Sequence, residues 1–450
     1  MPLFKNLISN LPEVTPPTEK KLNFNTKLKW TLIVIVLFFI LSNIPLFGLA
    51  SNALKRFEYL SVILGATFGS LMSLGIGPIV TASIVLQLLV GSELIKIDTT
   101  TEEGRKYFQG IQKFLAIGFT VFESVIYVLM KGLGAVPGLE LVLIIQLIIG
   151  GLLVILMDDL VSKYGFGSGI SLFIVAGVAW ELFVSAFAFI GPQGTIQPVG
   201  RLWVLISSIA NANPTLMALA LAAIISTVII FLVVVYVQSM KVEIPLSFGR
   251  VRGFGFRWPL AFLYASNIPV ILTAALLANI QLIGRLSKSA FIAVFDSNGV
   301  ITGGILKWFS HVDLPQKIIT RGLLPTDIIQ AVCYTLFMIA FSILFAVFWV
   351  KTSGMDAKKQ AENIAKSGMS IPGFRQNPRV LESILERYIM PLTVMGGAAV
   401  GLLAAGADLL GALVRGTGLL LSVMIVYKMY ENIAQQHAYD MHPVLRKLSD

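Results

Sequence analysis

Cysteine appears once in 450 residues, at Cys333. That excludes an internal disulfide and a cysteine-rich metal site. Histidine appears three times, as His311, His437 and His442, in places that do not form a metal constellation. Charge is also scarce. Asp, Glu, Lys and Arg make up 13% of the chain, where a soluble domain carries about 25%. No Walker loop, HExxH or Ser/His/Asp set occurs, so neither enzymatic activity nor a cofactor is expected. The leader contains Pro12, Pro16 and Pro17 and does not resemble a short basic n-region, so no cleaved signal peptide is expected.

What remains is apolar. Hydrophobic residues make up 56% and the mean hydropathy is +0.84. Ten candidate membrane spans follow, at 28–48, 75–91, 110–130, 139–157, 168–190, 215–238, 260–283, 325–350, 388–407 and 416–430. The second and the last are short. The expected fold is one all-α polytopic membrane domain.

The run Ser51–Gly91 is apolar but cannot form one clean span. It holds Lys55 and Arg56, passes Gly65 and Gly69, and breaks at Gly75-Ile76-Gly77-Pro78. Only sixteen residues remain from Gly75 to Val90, where a full span needs roughly 20. Irregular backbone at membrane depth is tolerated only when buried in protein or lining an aqueous path. Such a segment suggests a protein that moves something across the membrane.

Most of the 34 Lys and Arg residues fall on the side of the N-terminus. The positive-inside rule then places both termini in the cytoplasm of a multi-pass cell-membrane protein. In the leader, Leu3, Phe4, Leu7, Ile8 and Leu11 share one helical face. That face fits an interfacial amphipathic helix or an ordered tail.

Two basic loops face the cytoplasm in this topology. Met240–Trp258 holds Lys241, Arg250, Arg252 and Arg257; Lys351–Arg387 holds the turn Ile371-Pro372-Gly373-Phe374-Arg375. They suit phosphates or acidic protein surfaces, and equally topology and anionic lipid. On the other side, Asp296-Ser297-Asn298-Gly299 between apolar runs reads as the turn of a small external β-hairpin.

Few polar groups lie within the spans. Glu123 is a functional suspect by its depth, or a hydrogen-bond partner of Thr81 or Asn279. Asp158 and Asp159 close the fourth span, where solvation is the simpler reading, and Asp408 with Arg415 reads as a surface pair. Three spans open on glycine, at Gly75 and Gly77, at Gly165-Phe166-Gly167-Ser168-Gly169, and at Gly416-Thr417-Gly418. Close helix packing accounts for such glycines. Beyond them stand Ile76, Val80, Ile170, Ile174 and Leu421, which form a constriction if those helices surround one axis.

The runs Leu74–Thr81, Ser162–Gly169 and Ser266-Asn267-Ile268-Pro269 resemble the SecY protein-conducting channels, more the archaeal-type branch than the bacterial one. Pro391-Leu392-Thr393, Gly416-Thr417-Gly418 and Val426-Tyr427 continue the resemblance over nearly the whole chain.

The resemblance implies ten helices in two inverted five-helix halves around an hourglass pore, although no internal sequence repeat is evident. It divides the chain into a cytoplasmic segment (1–27), an N-terminal half (28–190), an external linker (191–212), a C-terminal half (213–433, with loops 239–259 and 351–387) and a tail (434–450). It assigns a plug to Leu54-Lys55-Arg56-Phe57-Glu58-Tyr59-Leu60-Ser61-Val62-Ile63-Leu64-Gly65-Ala66-Thr67-Phe68. The implied pore ring is Ile76, Val80, Ile170, Ile174, Ile271 and Leu421. Thr81, Glu123 and Asn279 match a polar cluster at a lateral gate. Arg250, Arg252 and Arg375 fall in the ribosome-facing loops.

The partners it implies are a SecE-type subunit, a third small single-span subunit, the translating ribosome, signal sequences with their nascent chains, and the lipid bilayer. The rival expectation is an inverted-repeat secondary transporter working through Glu123, which requires several convergent polar groups at the midplane.

Overall fold

The computed structural model describes the chain outside residues 1–11, 19–21, 50–68, 92–93, 96, 98–100, 130–132, 134, 190–198, 249–254, 266, 288, 290, 296–300, 367–368, 371–377 and 442–450. The expected leader helix, the plug, Arg250, Arg252 and Arg375 therefore lie outside the described residues.

A helix occupies each of the ten expected span positions: α1 (Phe24–Ser42), α2 (Gly77–Gly91), α3 (Glu102–Leu129), α4 (Glu140–Tyr164), α5 (Gly169–Phe187), α7 (Pro214–Ser239), α8 (Ile268–Ser287), α10 (Pro325–Thr352), α12 (Pro378–Leu409) and α13 (Gly416–Met441). Among the described residues, seven helices are long and apolar enough to cross a membrane; α2 and α8 are shorter apolar helices. Their outer faces are apolar and exposed. Ile225 and Leu232 of α7 are 53% and 60% accessible, which only a hydrocarbon solvent makes inexpensive.

Several boundaries differ from expectation. The seventh of the expected spans, α8, starts at Ile268 rather than at 260, because residues up to Ala261 complete a strand. α13 runs on to Met441, well past 430. The segment expected as an external linker holds a further helix, α6 (Arg201–Ala210). It folds back on the end of α5, where the Trp203 Nε1 donates to the Phe187 carbonyl at 3.2 Å.

The loop expected after α7 is a β-hairpin. β1 (Lys241–Phe248) pairs antiparallel with β2 (Gly255–Ala261), and β5 (Met369–Ser370) adds to β1. Val242, Ile244, Leu246 and Phe248 alternate with polar or small residues, a period-two signal that the charge of the loop overshadowed. Ile244 and Leu260 pack with Ile364 of α11 (Ala357–Lys366) and Leu385 of α12. The small hairpin expected on the opposite side is present as β3 (Val294–Phe295) with β4 (Ile301–Gly303). The short helix α9 (Leu314–Ile319) follows it, capped by Asp313, which accepts from Gln316 N–H at 3.0 Å.

Two features position the interior. α10 and α12 approach closely at Gly397 and Gly401, where a Cβ on Gly401 would stand 2.7 Å from the Met338 carbonyl oxygen. This is the small-residue packing that lets membrane helices touch backbone to backbone. The non-helical run from Gly69 to Ile76 is buried, with Met72 and Ser73 almost inaccessible. Its backbone turns on itself, Gly75 N–H donating to the Met72 carbonyl, and it is pinned to the segment just after α1 by Leu46 N–H on the Gly69 carbonyl. The irregular backbone is thus satisfied inside protein before α2 begins.

Candidate functional site

Six aliphatic side chains from four helix openings converge. Ile76 precedes α2 and Val80 lies in its first turn; Ile170 and Ile174 belong to α5; Ile271 to α8; Leu421 to α13. Ile76, Val80, Ile174 and Leu421 are all at most 6% exposed. Five of the six, all but Ile170, line a cavity of about 40 Å³ that continues toward Tyr334, Asp408, Arg415 and Thr417. That volume holds only a few water molecules.

Val80, Ile170 and Ile271 line a second cavity of about 580 Å³, with Ser83, Gln109, Asp158 and Lys428 in its wall. The segment at Val14 lies beside this wider cavity, Val14 N–H donating to Asp159, next to the lining Asp158, at 2.8 Å. The aliphatic group therefore stands between two cavities. It presents no charge and no fixed hydrogen-bonding group.

Beside it runs a polar chain across three helices. Asn279 Nδ2 of α8 donates to Thr81 Oγ1 of α2 at 3.1 Å. Thr81 Oγ1 donates to Glu123 Oε1 of α3 at 3.1 Å. The structure brings these three together, and Glu123 lines neither cavity. α2 and α8, which the first bond joins, come from the two halves of the chain and pack directly on each other. Two further contacts were not foreseen: Gln112 Nε2 donates to Ser83 Oγ at 2.6 Å, and Thr273 and Ser342 stand 3.4 Å apart between α8 and α10. Each residue is visible in sequence as a polar interruption, but its partner is not.

Two expectations are corrected. Asp158 does not simply end a helix in solvent. Its Oδ1 accepts the Ile170 N–H at 3.0 Å. Asp408 and Arg415 are not a surface pair either. Asp408 is 4% exposed, accepts the Thr417 N–H at 2.7 Å and the Tyr334 hydroxyl at 2.5 Å, and Thr417 Oγ1 also donates to it. The turn after α12 folds inward, so the carboxylate reaches backbone rather than water.

Arg415 instead lies 3.4 Å from His311 Nδ1. Burial, and then the Arg415 charge, push His311 down to about 4, against a smaller opposing pull from Asp408. A depressed folded value means that neutral His311 contributes stability fully present above the ordinary value of 6.5 and lost as pH falls through about 4. The melting temperature of the solubilised chain is expected to drop across that window. His311→Gln, which takes up no proton there, is expected to flatten the drop; an unchanged slope would remove His311 as its source.

Among the described residues, no group of three or more His, Cys, Asp or Glu is placed to hold a metal ion.

Comparison with known proteins places this architecture. A family model described as SecY matches residues 70–430, and one described as the plug domain of Sec61p matches residues 36–69. The chain is 44% identical to the protein translocase subunit SecY of Methanothermobacter thermautotrophicus, over 98% of this chain and 97% of that protein. It is 42% identical to the subunit of the same name from Methanocaldococcus jannaschii, over 98% of both. A solved structure described as "The structure of a protein conducting channel" superposes with a TM-score of 0.84 at 41% identity, covering 97% of this chain and 98% of that one. Another, described as Sec61 in the canine ribosome-channel complex from the endoplasmic reticulum, gives 0.81 at 41% identity, covering 97% and 98%. With a family match across most of its length and close relatives over nearly all of it, this chain belongs to the SecY family.

Proposed function

We propose that this chain is the central, pore-forming subunit of a Sec-type translocon, a passive channel that moves unfolded secretory polypeptides across the cell membrane and releases signal or transmembrane segments sideways into lipid. The observation that carries the reading is the group of six aliphatic side chains standing between two cavities. Branched apolar groups form a compliant ring. It dewets when empty and closes around a passing chain without selecting among side chains, whereas a charged ring would bind some of them. Leu54–Phe68 is the plug, and both termini are cytoplasmic, so the wider cavity faces the cytoplasm. Driving force comes from a partner. The translating ribosome fits the basic loops with Arg250, Arg252 and Arg375, and the similar Sec61 structure is described in complex with a ribosome. SecE-type and small single-span subunits complete the assembly.

The test is a photo-crosslinker at Leu421 in ribosome–channel complexes stalled with a partly made secretory chain. A crosslink that requires a functional signal sequence is expected. None, in complexes shown to be engaged, would break the ring assignment. The transporter alternative is disfavoured because Glu123 is held by Thr81 away from both cavities.

The Thr81, Glu123 and Asn279 chain holds the lateral gate shut. A signal helix prefers lipid to water at roughly 25 cal/mol per Å², so a gate held by a few weak bonds is enough. Asn279→Leu removes one bond worth about 0.5–1.5 kcal/mol from the closed gate and places an apolar group where the open gate meets lipid. It is expected to loosen the gate and raise export of precursors with weak signal sequences. Unchanged or reduced export of those precursors would count against the assignment.

A further inference from the structure

The two helices that carry half of the aliphatic group begin alike. α5 starts at Gly169 and carries Ile170 and Ile174; α13 starts at Gly416 and carries Leu421. Each follows a long helix through a short turn, and each receives an aspartate from that preceding helix. Asp158 near the end of α4 accepts the Ile170 N–H at 3.0 Å, with Ser168 Oγ at 3.5 Å. Asp408 near the end of α12 accepts the Thr417 N–H at 2.7 Å through Oδ1. Its Oδ2 receives the hydroxyls of Thr417 and Tyr334.

The glycines make this approach possible. A Cβ on Gly169 would stand 2.5 Å from Asp158 Cα, and one on Gly416 would overlap the backbone of Ala407 and Asp408. In both halves the bonded N–H lies four residues before a group member, Ile170 before Ile174 and Thr417 before Leu421. Four residues is about one helical turn.

We propose that Asp158 and Asp408 are a matched pair of positioning residues that set the rotation and depth of α5 and α13, and so hold Ile174 and Leu421 in the closed constriction. The first N–H groups of a helix have no partner within it, and a carboxylate there also complements the positive helix end. Here the carboxylate is fixed on the previous helix, so the bond ties one rigid element to the next rather than merely ending a helix. Tyr334 extends the tie from Asp408 to α10. The proposal rests on the ring reading above.

The test uses the full chain with the small subunits that co-purify, in proteoliposomes, with resting ion leak measured per folded channel. Asp408→Ala and Asp158→Ala are each expected to raise the leak roughly tenfold, the effect of losing a hydrogen bond to a charged group. The asparagine variants keep an acceptor oxygen and are expected to return most of the seal. Thr417→Val keeps the backbone N–H and loses only the hydroxyl, so it is expected to leak less than Asp408→Ala; it also stands in if that variant does not fold. A wild-type leak in the folded alanine variants overturns the proposal, as does equal leak from asparagine and alanine. The Leu421 crosslink, measured on the same preparations, separates the two failures. A crosslink with no change in leak leaves the ring and removes the tie; no crosslink in the wild-type chain removes the ring itself.

Discussion

Leu421→Asn is expected to raise the resting ion leak of the channel more than tenfold. Leu421 is 6% exposed and faces the smaller cavity together with Ile76, Val80, Ile174 and Ile271. In the proposed ring, the seal depends on the aliphatic group itself staying dry, because an ion passing those side chains would have to shed water with no polar group among them to replace it. A buried leucine contributes about 2 kcal/mol of apolar transfer free energy. An amide in its place both removes that term and offers a hydrogen-bonding group to the first water. Planar-bilayer conductance of the purified channel without substrate reads the effect directly. Leu421→Ile keeps the apolar surface and is expected to keep the seal. A tight Leu421→Asn channel would mean that the constriction lies elsewhere.

Gly416→Ala is expected to destabilise the chain by about 3 kcal/mol or more. The new methyl would fall within the Ala407 carbonyl and the Asp408 amide. Both are backbone groups of α12, a long packed helix that cannot give way as a flexible side chain can. Relief requires α13 to move off α12, which also breaks the Thr417 bonds to Asp408. Gly418→Ala is the control two residues away. Its Cβ meets only Val178 Cγ2 at 3.2 Å, a side chain able to shift, and less than about 1 kcal/mol is expected. Thermal unfolding of the two variants in one detergent compares them. Equal melting temperatures would mean that α12 and α13 are not packed as described.

The membrane class and the positions of ten helices were legible because hydropathy is a sum over consecutive residues. The break at Gly75-Ile76-Gly77-Pro78 was legible for the same reason, and Asn298-Gly299 marked a hairpin because turn chemistry is local. The hairpin of β1 and β2 is masked in sequence by arginines and glycines that read as a loop, although Val242 to Phe248 alternate. Helix α6 stands where the sequence reads as a linker, because ten residues of modest hydropathy carry no sign of the surface they fold onto.

The site divides the same way. The apolar residues beyond each glycine-opened span could be named from the chain alone, since helix starts are local events. That Asn279 reaches Thr81 could not be read from periodicity, because the two are 198 residues apart and their meeting depends on how α2 and α8 are rotated. From sequence Asp158 reads as solvated and Asp408 as a surface partner of Arg415, because a carboxylate at the end of an apolar run is commonly at the surface. Only the turn that folds α5 against α4, and α13 against α12, aims those carboxylates at backbone N–H groups. Sequence by itself determined that this protein is a bundle of membrane helices with aliphatic residues at three glycine openings, because those properties are set by neighbours along the chain. Tertiary structure decided that residues from these openings line two adjoining cavities, and which acid bonds to which helix start, because those depend on packing between segments far apart in the chain.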